Sequence, residues 1–130
     1  MILDSSAMVA MLIEEDGWRR LSEAVETAEV VGIGAPTLVE TDMVMLGRFD
    51  LRGGGLVAQF LEENHVIVVP FDSEHRHLAA EAFVRYGKGR HPARLNYGDC
   101  MTYATAYVAN QPLLFTGKDF AETDVVSALD

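Results

Sequence analysis

The chain has 130 residues, a length typical of one domain, and we expect a single domain over residues 1–130. Its composition, 49% hydrophobic and 23% charged, excludes a disordered or fibrous chain. Ten Lys and Arg against 20 Asp and Glu give a net charge of −10, which disfavours nucleic-acid binding unless charge is locally rearranged or cations are bound.

The first half of the chain predicts two short strands, each followed by helices. The strands are expected at 2–3 and 30–35, and the helices at 5–15, 18–28 and from Pro36 to about residue 51. Three consecutive glycines at 53–55 predict a break before another helix that carries apolar residues at 56–61. Strands separated by helices in this way favour a parallel sheet.

The second half continues the alternation. The run HVIVV at 65–69 is the clearest buried strand, and Asp72 or Ser73 is expected to cap a helix with Leu78, Ala82, Phe83 and Tyr86 inward. After a loop at 87–95, Asn96 can cap a central helix over 97–110. A strand follows at 113–116, and residues 125–126 are candidates for an edge strand. The chain is predicted to be a three-layer α/β/α protein with a central parallel sheet of four to five strands.

Four carboxylates fall near strand ends rather than on ordinary solvated helix faces. Asp4 follows the first strand, Glu40 lies one turn into the helix after the second, Asp99 is in the first turn of the central helix, and Asp119 follows the last clear strand. The carboxyl ends of parallel strands share the edge where α/β proteins bind ligands. Mutually repelling carboxylates there are relieved by a cation, and all-oxygen ligands favour Mg²⁺ or Mn²⁺. Such a cluster suits phosphodiester hydrolysis.

Each acid also has a purely local interpretation. Asp4 could be only a helix N-cap, Asp99 the partner of Asn96 in a capping box, and Asp119 a turn residue. Glu40 is the hardest to explain locally, because it shares a helix face with methionine and valine. The four together carry more weight than any one of them.

These segments, in this order, resemble the PIN-domain family, and within it the toxin ribonucleases of VapBC-type toxin–antitoxin modules. The resemblance rests on MILDSSAMVAML, PTLVETDMV, RYGKGRHPARLNYGDC and LLFTGKDFAETD, and it spans residues 1–124. It implies an endoribonuclease that depends on Mg²⁺ or Mn²⁺. Asp4 and Asp99 would be the main metal ligands, with Glu40 and Asp119 acting directly or through water.

The resemblance implies further roles. Ser6 would support the site by hydrogen bonding. Lys118 departs from the family pattern, which leaves Asp119 and Asp124 both open as the fourth acid; Asp119 is favoured because it is nearer the strand end. An antitoxin protein would block the site, and a homodimer is expected. The RNA that is cut, its cleavage sequence and the number of metal ions stay open.

Four of the ten cations fall in one ten-residue stretch, namely Arg85, Lys88, Arg90 and Arg94. We expect this stretch to bind the RNA backbone beside the metal, although a merely solvated loop is the alternative.

The remaining signals are weaker. His75 and His77 are expected at the surface, and the single cysteine, Cys100, in the core. Neither a secretory signal nor a membrane span is apparent, so a cytoplasmic protein is expected. Two other functions stay open, a catalytically silent interaction module and a receiver-like phosphoacceptor domain.

Overall fold

The structure is a computed structural model that describes residues 1–129. Its strands and helices follow each other in the order β1 (Ile2–Leu3), α1 (Ser5–Leu12), α2 (Trp18–Thr27), β2 (Gly32–Gly34), α3 (Ala35–Phe49), α4 (Leu51–Glu63), β3 (Ile67–Val69), α5 (Ser73–Tyr86), α6 (Tyr97–Ala109) and β4 (Leu113–Leu114). A short 3₁₀ helix follows at Phe120–Glu122.

The four strands of the described chain form one parallel sheet in the order β3-β2-β1-β4. Ile2 of β1 is in register with Gly32 on one side and with Leu113 on the other. Successive side chains of a strand point to opposite faces of the sheet. Accordingly, Ile2 packs with α5 and α6, whereas Leu3 packs with α1, α2, α3 and α4. The predicted three-layer α/β/α fold with a central parallel sheet is confirmed.

Helix α6 is the central helix, as its nearly all-round apolar pattern predicted. It contacts α5, α3 and the strands β1 and β2. Cys100, Tyr103 and Ala104 are buried on it, and the prediction of a core cysteine is confirmed. Asn96 caps the helix as predicted, and Asp72 caps α5. The two caps fix where each helix begins.

Strand β3 is not the buried strand that its apolar run predicted. It lies at the edge of the sheet, and Ile67 and Val68 are 55% and 44% exposed. A short apolar run looks the same in a central strand and in an edge strand, because sequence alone does not give the strand order. Here the chain moves outward from β1 to β3 and then returns to place β4 on the other side of β1.

The three glycines do not break the chain, and the prediction of a break at 53–55 was wrong. They lie inside the first turns of α4, and the chain turns earlier, at Asp50, which adopts a positive φ of 52°. At Gly53 the backbone of α4 comes so close to the Met45 carbonyl of α3 that a Cβ atom would overlap it. Gly53 therefore allows the close crossing of α3 and α4, and this packing stabilises α4 despite the low helix propensity of glycine.

Helix α5 differs from its prediction at two side chains. His75, expected at the surface, is 4% exposed, and Phe83, expected inward, is 42% exposed. His75 is buried because it completes the helix cap: its Nδ1 lies 2.9 Å from Asp72 Oδ1 and accepts the Asp72 backbone N–H at 3.2 Å. Its ring also packs against Phe71, with ring centroids 5.1 Å apart. The His77 side chain is exposed, as predicted.

The C-terminal tail extends the sheet by one bridge instead of a full edge strand. Leu113 donates its backbone N–H to Val126 at 2.8 Å, and Ala128 donates to Leu113 at 2.9 Å, around a parallel bridge to Ser127. Within residues 1–129, no helix has both the length and the apolar character needed to cross a bilayer.

Candidate active site

The strand order creates a crevice at the carboxyl ends of β1 and β4. The chain leaves β1 toward β2 and β3 and later returns to β4, so connections on either side of the β1–β4 pair run in opposite directions. In parallel sheets this switch point is where ligands bind. Asp4 is the first residue after β1, and its backbone N–H donates to the Leu114 carbonyl at 2.9 Å.

Asp4 is held on both of its carboxylate oxygens and is only 5% exposed. Oδ1 accepts from the Thr102 hydroxyl at 2.9 Å. Oδ2 accepts from the backbone N–H of Ser6 at 3.1 Å and from the Ser6 hydroxyl. The carboxylate is therefore fixed between the start of α1 and the middle of α6.

Glu40 reaches the same crevice from α3. Its Oε1 accepts a hydrogen bond at 2.6 Å from the hydroxyl of Ser5, the residue after Asp4. Its carboxylate lies directly against Gly98 of α6, where a Cβ atom would overlap it. The helix face around Glu40 is solvent-exposed rather than apolar core, with Met43 68% exposed. Glu40 is thus explained by its contacts at this crevice and not by burial under a hydrophobic stripe.

Asp99 is the carboxylate on which the other charges converge. It lies in the first turn of α6, and Oδ2 accepts the Asn96 backbone N–H at 3.0 Å. Burial, followed by the negative charges of Asp4, Asp119 and Glu40, raises its pKa to about 6, although the Asn96 N–H opposes this shift. The other three predicted acids therefore all lie close enough to Asp99 for their charges to act on it.

Asp119 and Asp124 have different surroundings. Asp119 is exposed and contributes to the field on Asp99. Asp124 instead accepts from the Tyr103 hydroxyl at 2.8 Å and lies 3.7 Å from the Arg85 guanidinium. The charge of Asp124 is thus matched by a cation, and this arrangement favours Asp119 as the fourth acid.

The local interpretations of Asp4 and Asp99 hold alongside their position in the site. Asp4 is the N-cap of α1, and Asp99 forms a capping box with Asn96, whose side chain accepts the Asp99 N–H at 2.9 Å. A capping bond uses only part of the acceptor capacity of a carboxylate. Capping therefore orients these two side chains and leaves oxygen lone pairs free for a ligand.

Four hydroxyls, those of Ser5, Ser6, Thr37 and Thr102, support the acids directly or through another hydroxyl, and only Ser6 was singled out in advance. Ser6 Oγ also accepts the Thr116 backbone N–H at 3.1 Å, which ties the loop after β4 to Asp4. Thr37 of α3 shares a 3.0 Å hydrogen bond with Thr102, and Ser5 holds Glu40. The burial of Thr37 and Thr102 in otherwise apolar helices could have indicated such a role, but their partners depend on the fold.

The donor set fits a hydrated Mg²⁺ ion. Asp4, Glu40, Asp99 and Asp119 take part in none of the ion pairs found within residues 1–129. Within residues 1–129, no three carboxylate, imidazole or thiol groups are close enough together to enclose one ion. Mg²⁺ typically keeps several waters and uses one or two carboxylates, so Asp4 and Asp99 could hold it, with Glu40 and Asp119 in contact through water.

The predicted basic stretch divides into two parts. Arg85 is occupied: it donates to the Tyr86 hydroxyl at 2.8 Å, stacks on that ring and faces Asp124. Lys88, Arg90 and Arg94 are exposed on the loop between α5 and α6, and none of them pairs with an acid in residues 1–129. This loop surrounds an open cavity of about 500 Å³ and leads directly into Asn96.

Comparison with known proteins decides the family. The PIN domain model matches residues 1–126. This chain is a member of the PIN domain family. The PIN domain is 42% identical to "Ribonuclease VapC" of Mycolicibacterium smegmatis over 127 residues, which cover 98% of each chain. It is 39% identical to "Ribonuclease VapC30" of Mycobacterium tuberculosis, over 98% of this chain and 97% of that one. The predicted resemblance to VapC ribonucleases is confirmed.

Solved structures share the fold of this PIN domain. The VapC20 toxin of Mycobacterium tuberculosis, described as cleaving the sarcin-ricin loop, has a TM-score of 0.78 at 18% identity and covers 96% of this chain and 95% of its own. A toxin-antitoxin complex from Klebsiella pneumoniae has a TM-score of 0.74 at 18% identity, over 99% and 97%. At these identities the match establishes the architecture.

Proposed function

We propose that this PIN domain is a metal-dependent endoribonuclease and the toxin of a type II toxin–antitoxin system. The observation that carries the proposal is the convergence of four carboxylates, from four separate parts of the chain, on one crevice, where no cationic side chain of residues 1–129 pairs with them. The near-full-length similarity to VapC ribonucleases supports RNA as the substrate. A phosphoacceptor domain is not supported by this family membership.

The side chains divide the work of hydrolysis. Asp4 and Asp99 would hold a Mg²⁺ or Mn²⁺ ion, which polarises the phosphate and lowers the pKa of water when bound. Glu40, which Ser5 holds by a hydrogen bond, and Asp119 would orient water and accept its proton. Ser6 and Thr102 hold Asp4 so that its oxygens do not reorient during the reaction.

The loop cations would bind the substrate. Lys88, Arg90 and Arg94 form no ion pair with an acid of residues 1–129, and their loop leads into the helix that carries Asp99. We assign these three residues to the RNA-binding surface. Arg85 belongs to it only as the residue that anchors the loop. The contact of Arg85 with Asp124 and Tyr86 supports this division.

An antitoxin and a second copy of the chain belong to the same proposal. Helices α3 and α4 expose large apolar side chains, listed here with their exposed fractions: Val39 56%, Met43 68%, Phe49 38%, Leu51 88% and Leu56 37%. Large apolar side chains exposed on two packed helices are typical of protein interfaces. Its position on α3, the helix that carries Glu40, supports an antitoxin that covers the crevice, and the homodimer stays a prediction.

Single substitutions Asp4→Asn and Asp99→Asn test the catalytic assignment. Each asparagine keeps an oxygen for the capping hydrogen bond but removes the charge needed to hold a divalent ion. We expect RNA cleavage to fall by roughly 100-fold or more. Cleavage is measured on total cellular RNA with Mg²⁺ present, and 5′-end sequencing of the products identifies the cut sites. Full activity in either variant would falsify the assignment, and an inactive wild-type protein would favour a silent interaction module.

The control for these variants is their thermal unfolding in chelator. Because the folded protein raises the pKa of Asp99 from 3.8 to about 6, the charge of Asp99 disfavours folding above about pH 6. Asp99→Asn should therefore be at least as stable as the wild-type protein at pH 8. Its advantage should shrink as the pH falls from 6 toward 4, where the wild-type carboxyl takes up its proton.

A further inference from the structure

Tyr97 is the most exposed aromatic side chain in residues 1–129, at 80%. It is the first residue of α6. Its hydroxyl makes no hydrogen bond to any side chain or backbone group in the described part of the chain, in contrast to the Tyr103 and Tyr86 hydroxyls. A ring this exposed contributes little to folding and is accessible to a ligand.

The backbone that presents Tyr97 is fixed on both sides. Asn96 and Asp99 exchange two hydrogen bonds, of 3.0 and 2.9 Å, which close the capping box around residues 97 and 98. The cap needs only the Asn96 and Asp99 side chains, and the residue between them can be polar. The ring is thus displayed on a rigid turn without being required by it, and a rigid aromatic surface binds with little loss of conformational entropy.

Tyr97 adjoins the acidic crevice along α6. Glu40 lies against Gly98, the next residue, and Asp99 is one residue further on. Two residues turn a helix by about 200°, so Tyr97 and Asp99 project from different faces of α6. The unpaired loop cations precede Tyr97 on the chain, as Lys88, Arg90 and Arg94.

We propose that Tyr97 is the stacking platform for an unpaired RNA base next to the scissile phosphate. The proposal rests on the ribonuclease function and names a positioning residue for it. Proteins recognise single-stranded RNA largely by stacking its bases on aromatic side chains. Stacking does not depend on net charge, so it provides affinity for RNA in a chain whose formal charge is −10.

A protein partner is the other possible occupant of this ring, and the surroundings favour RNA. Tyr97 follows Arg94, Leu95 and Asn96, of which Arg94 and Asn96 are exposed and Leu95 is fully buried. Within its own segment the ring is therefore flanked by a cation and an amide instead of by other exposed apolar side chains. The exposed apolar side chains proposed above as a protein interface lie on other helices, α3 and α4.

The test measures stacking directly. A single-stranded RNA of roughly 12 nucleotides, of mixed sequence and carrying 2-aminopurine, is titrated with protein in the Asp4→Asn background so that the RNA stays intact. We expect quenching of 2-aminopurine with Tyr97 and with Tyr97→Phe. Tyr97→Ala and Tyr97→Leu should abolish the quenching and weaken binding by about tenfold or more. The matched control is Tyr107→Ala, because Tyr107 is an exposed tyrosine about 15 Å further along the same helix. This variant should keep the quenching and the RNA affinity of the protein with Tyr107.

Cleavage separates this proposal from the function beneath it. With Asp4 restored, Tyr97→Ala should lower kcat/KM for RNA by a similar factor. An RNA that lacks the base next to the cut site should lower kcat/KM of the wild-type protein much more than that of Tyr97→Ala. If the wild-type protein cleaves RNA and Tyr97→Ala cleaves it equally well, the stacking role is wrong. Loss of antitoxin binding with unchanged RNA cleavage would instead assign Tyr97 to a protein interface. A wild-type protein that cleaves no RNA contradicts the ribonuclease function itself.

Discussion

At the scale of single residues, two carboxylates of the site, those of Asp4 and Asp99, each have two roles. Asp4 and Asp99 cap α1 and α6, and a helix N-terminus stabilises a negative charge. For Asp99 this stabilisation is outweighed by burial and by three neighbouring acids, since its pKa rises to about 6. The cap therefore fixes where the carboxylate lies, and the remaining repulsion provides a reason to bind a cation there.

Gly98 offers a test of Glu40 that leaves every acid in place. Because the Glu40 carboxylate lies against Gly98, Gly98→Ala should push it away and break its hydrogen bond with Ser5. We expect kcat/KM for RNA to fall by about tenfold or more, since small misplacement of a catalytic group is costly. Thermal stability should not fall, because alanine favours a helix by up to about 1 kcal/mol over glycine.

The matched control for Gly98→Ala is Gly55→Ala. Gly55 is also helical, but unlike the half-buried Gly98 it is exposed, and open space surrounds the position where its Cβ would lie. This variant should retain full RNA cleavage. Equal activity of the two alanine variants would show that the position of Glu40 does not matter for catalysis.

At the scale of elements, the sequence was informative wherever a local signal set the boundary. Asp72 and Asn96 begin α5 and α6 as predicted, because a capping side chain and the first turn of its helix are adjacent in the sequence. The predictions for strand β3 and for the glycines of α4 were wrong because the environment of these residues depends on distant elements. The exposure of Ile67 follows from the strand order, and Gly53 is helical because α3 packs against it.

The α3–α4 crossing predicts opposite effects for two neighbouring glycines. A Cβ atom at Gly53 would overlap the Met45 carbonyl, and backbone cannot move aside as a side chain can. Gly53→Ala should lower the free energy of unfolding by about 1–3 kcal/mol. Gly55→Ala meets no neighbour and should raise it by up to about 1 kcal/mol. Urea unfolding at constant pH measures both, and similar shifts for the two variants would contradict the close crossing.

At the scale of the whole molecule, topology brings the acids together. The sequence shows that the four acids follow strands or lie near the start of helices. A parallel sheet places these strand ends and helix starts at one edge. The supporting hydroxyls were not predictable in the same way. The contact between Thr37 and Thr102 joins residues 65 positions apart on two helices, and nothing local to either residue indicates the other.

The charge distribution of the whole molecule leads to a prediction about salt. Although the chain carries −10, the loop before α6 holds three cations that no acid within residues 1–129 pairs with, Lys88, Arg90 and Arg94. Changing all three to glutamine should weaken RNA binding and flatten its dependence on salt. Each lost phosphate contact on single-stranded RNA reduces the log–log slope by about 0.7, so the expected change is up to about 2.

The control for the loop variant removes the same charge elsewhere. Arg19→Gln, Arg20→Gln and Arg76→Gln together also change the net charge from −10 to −13, but they lie on α2 and α5. Because binding depends on local contacts more than on total charge, this variant should keep the wild-type salt slope and lose little affinity. Fluorescence titration of one single-stranded RNA at several salt concentrations compares the two. Equal slopes for both triple variants would mean that the loop contributes only general electrostatics and does not contact the RNA backbone.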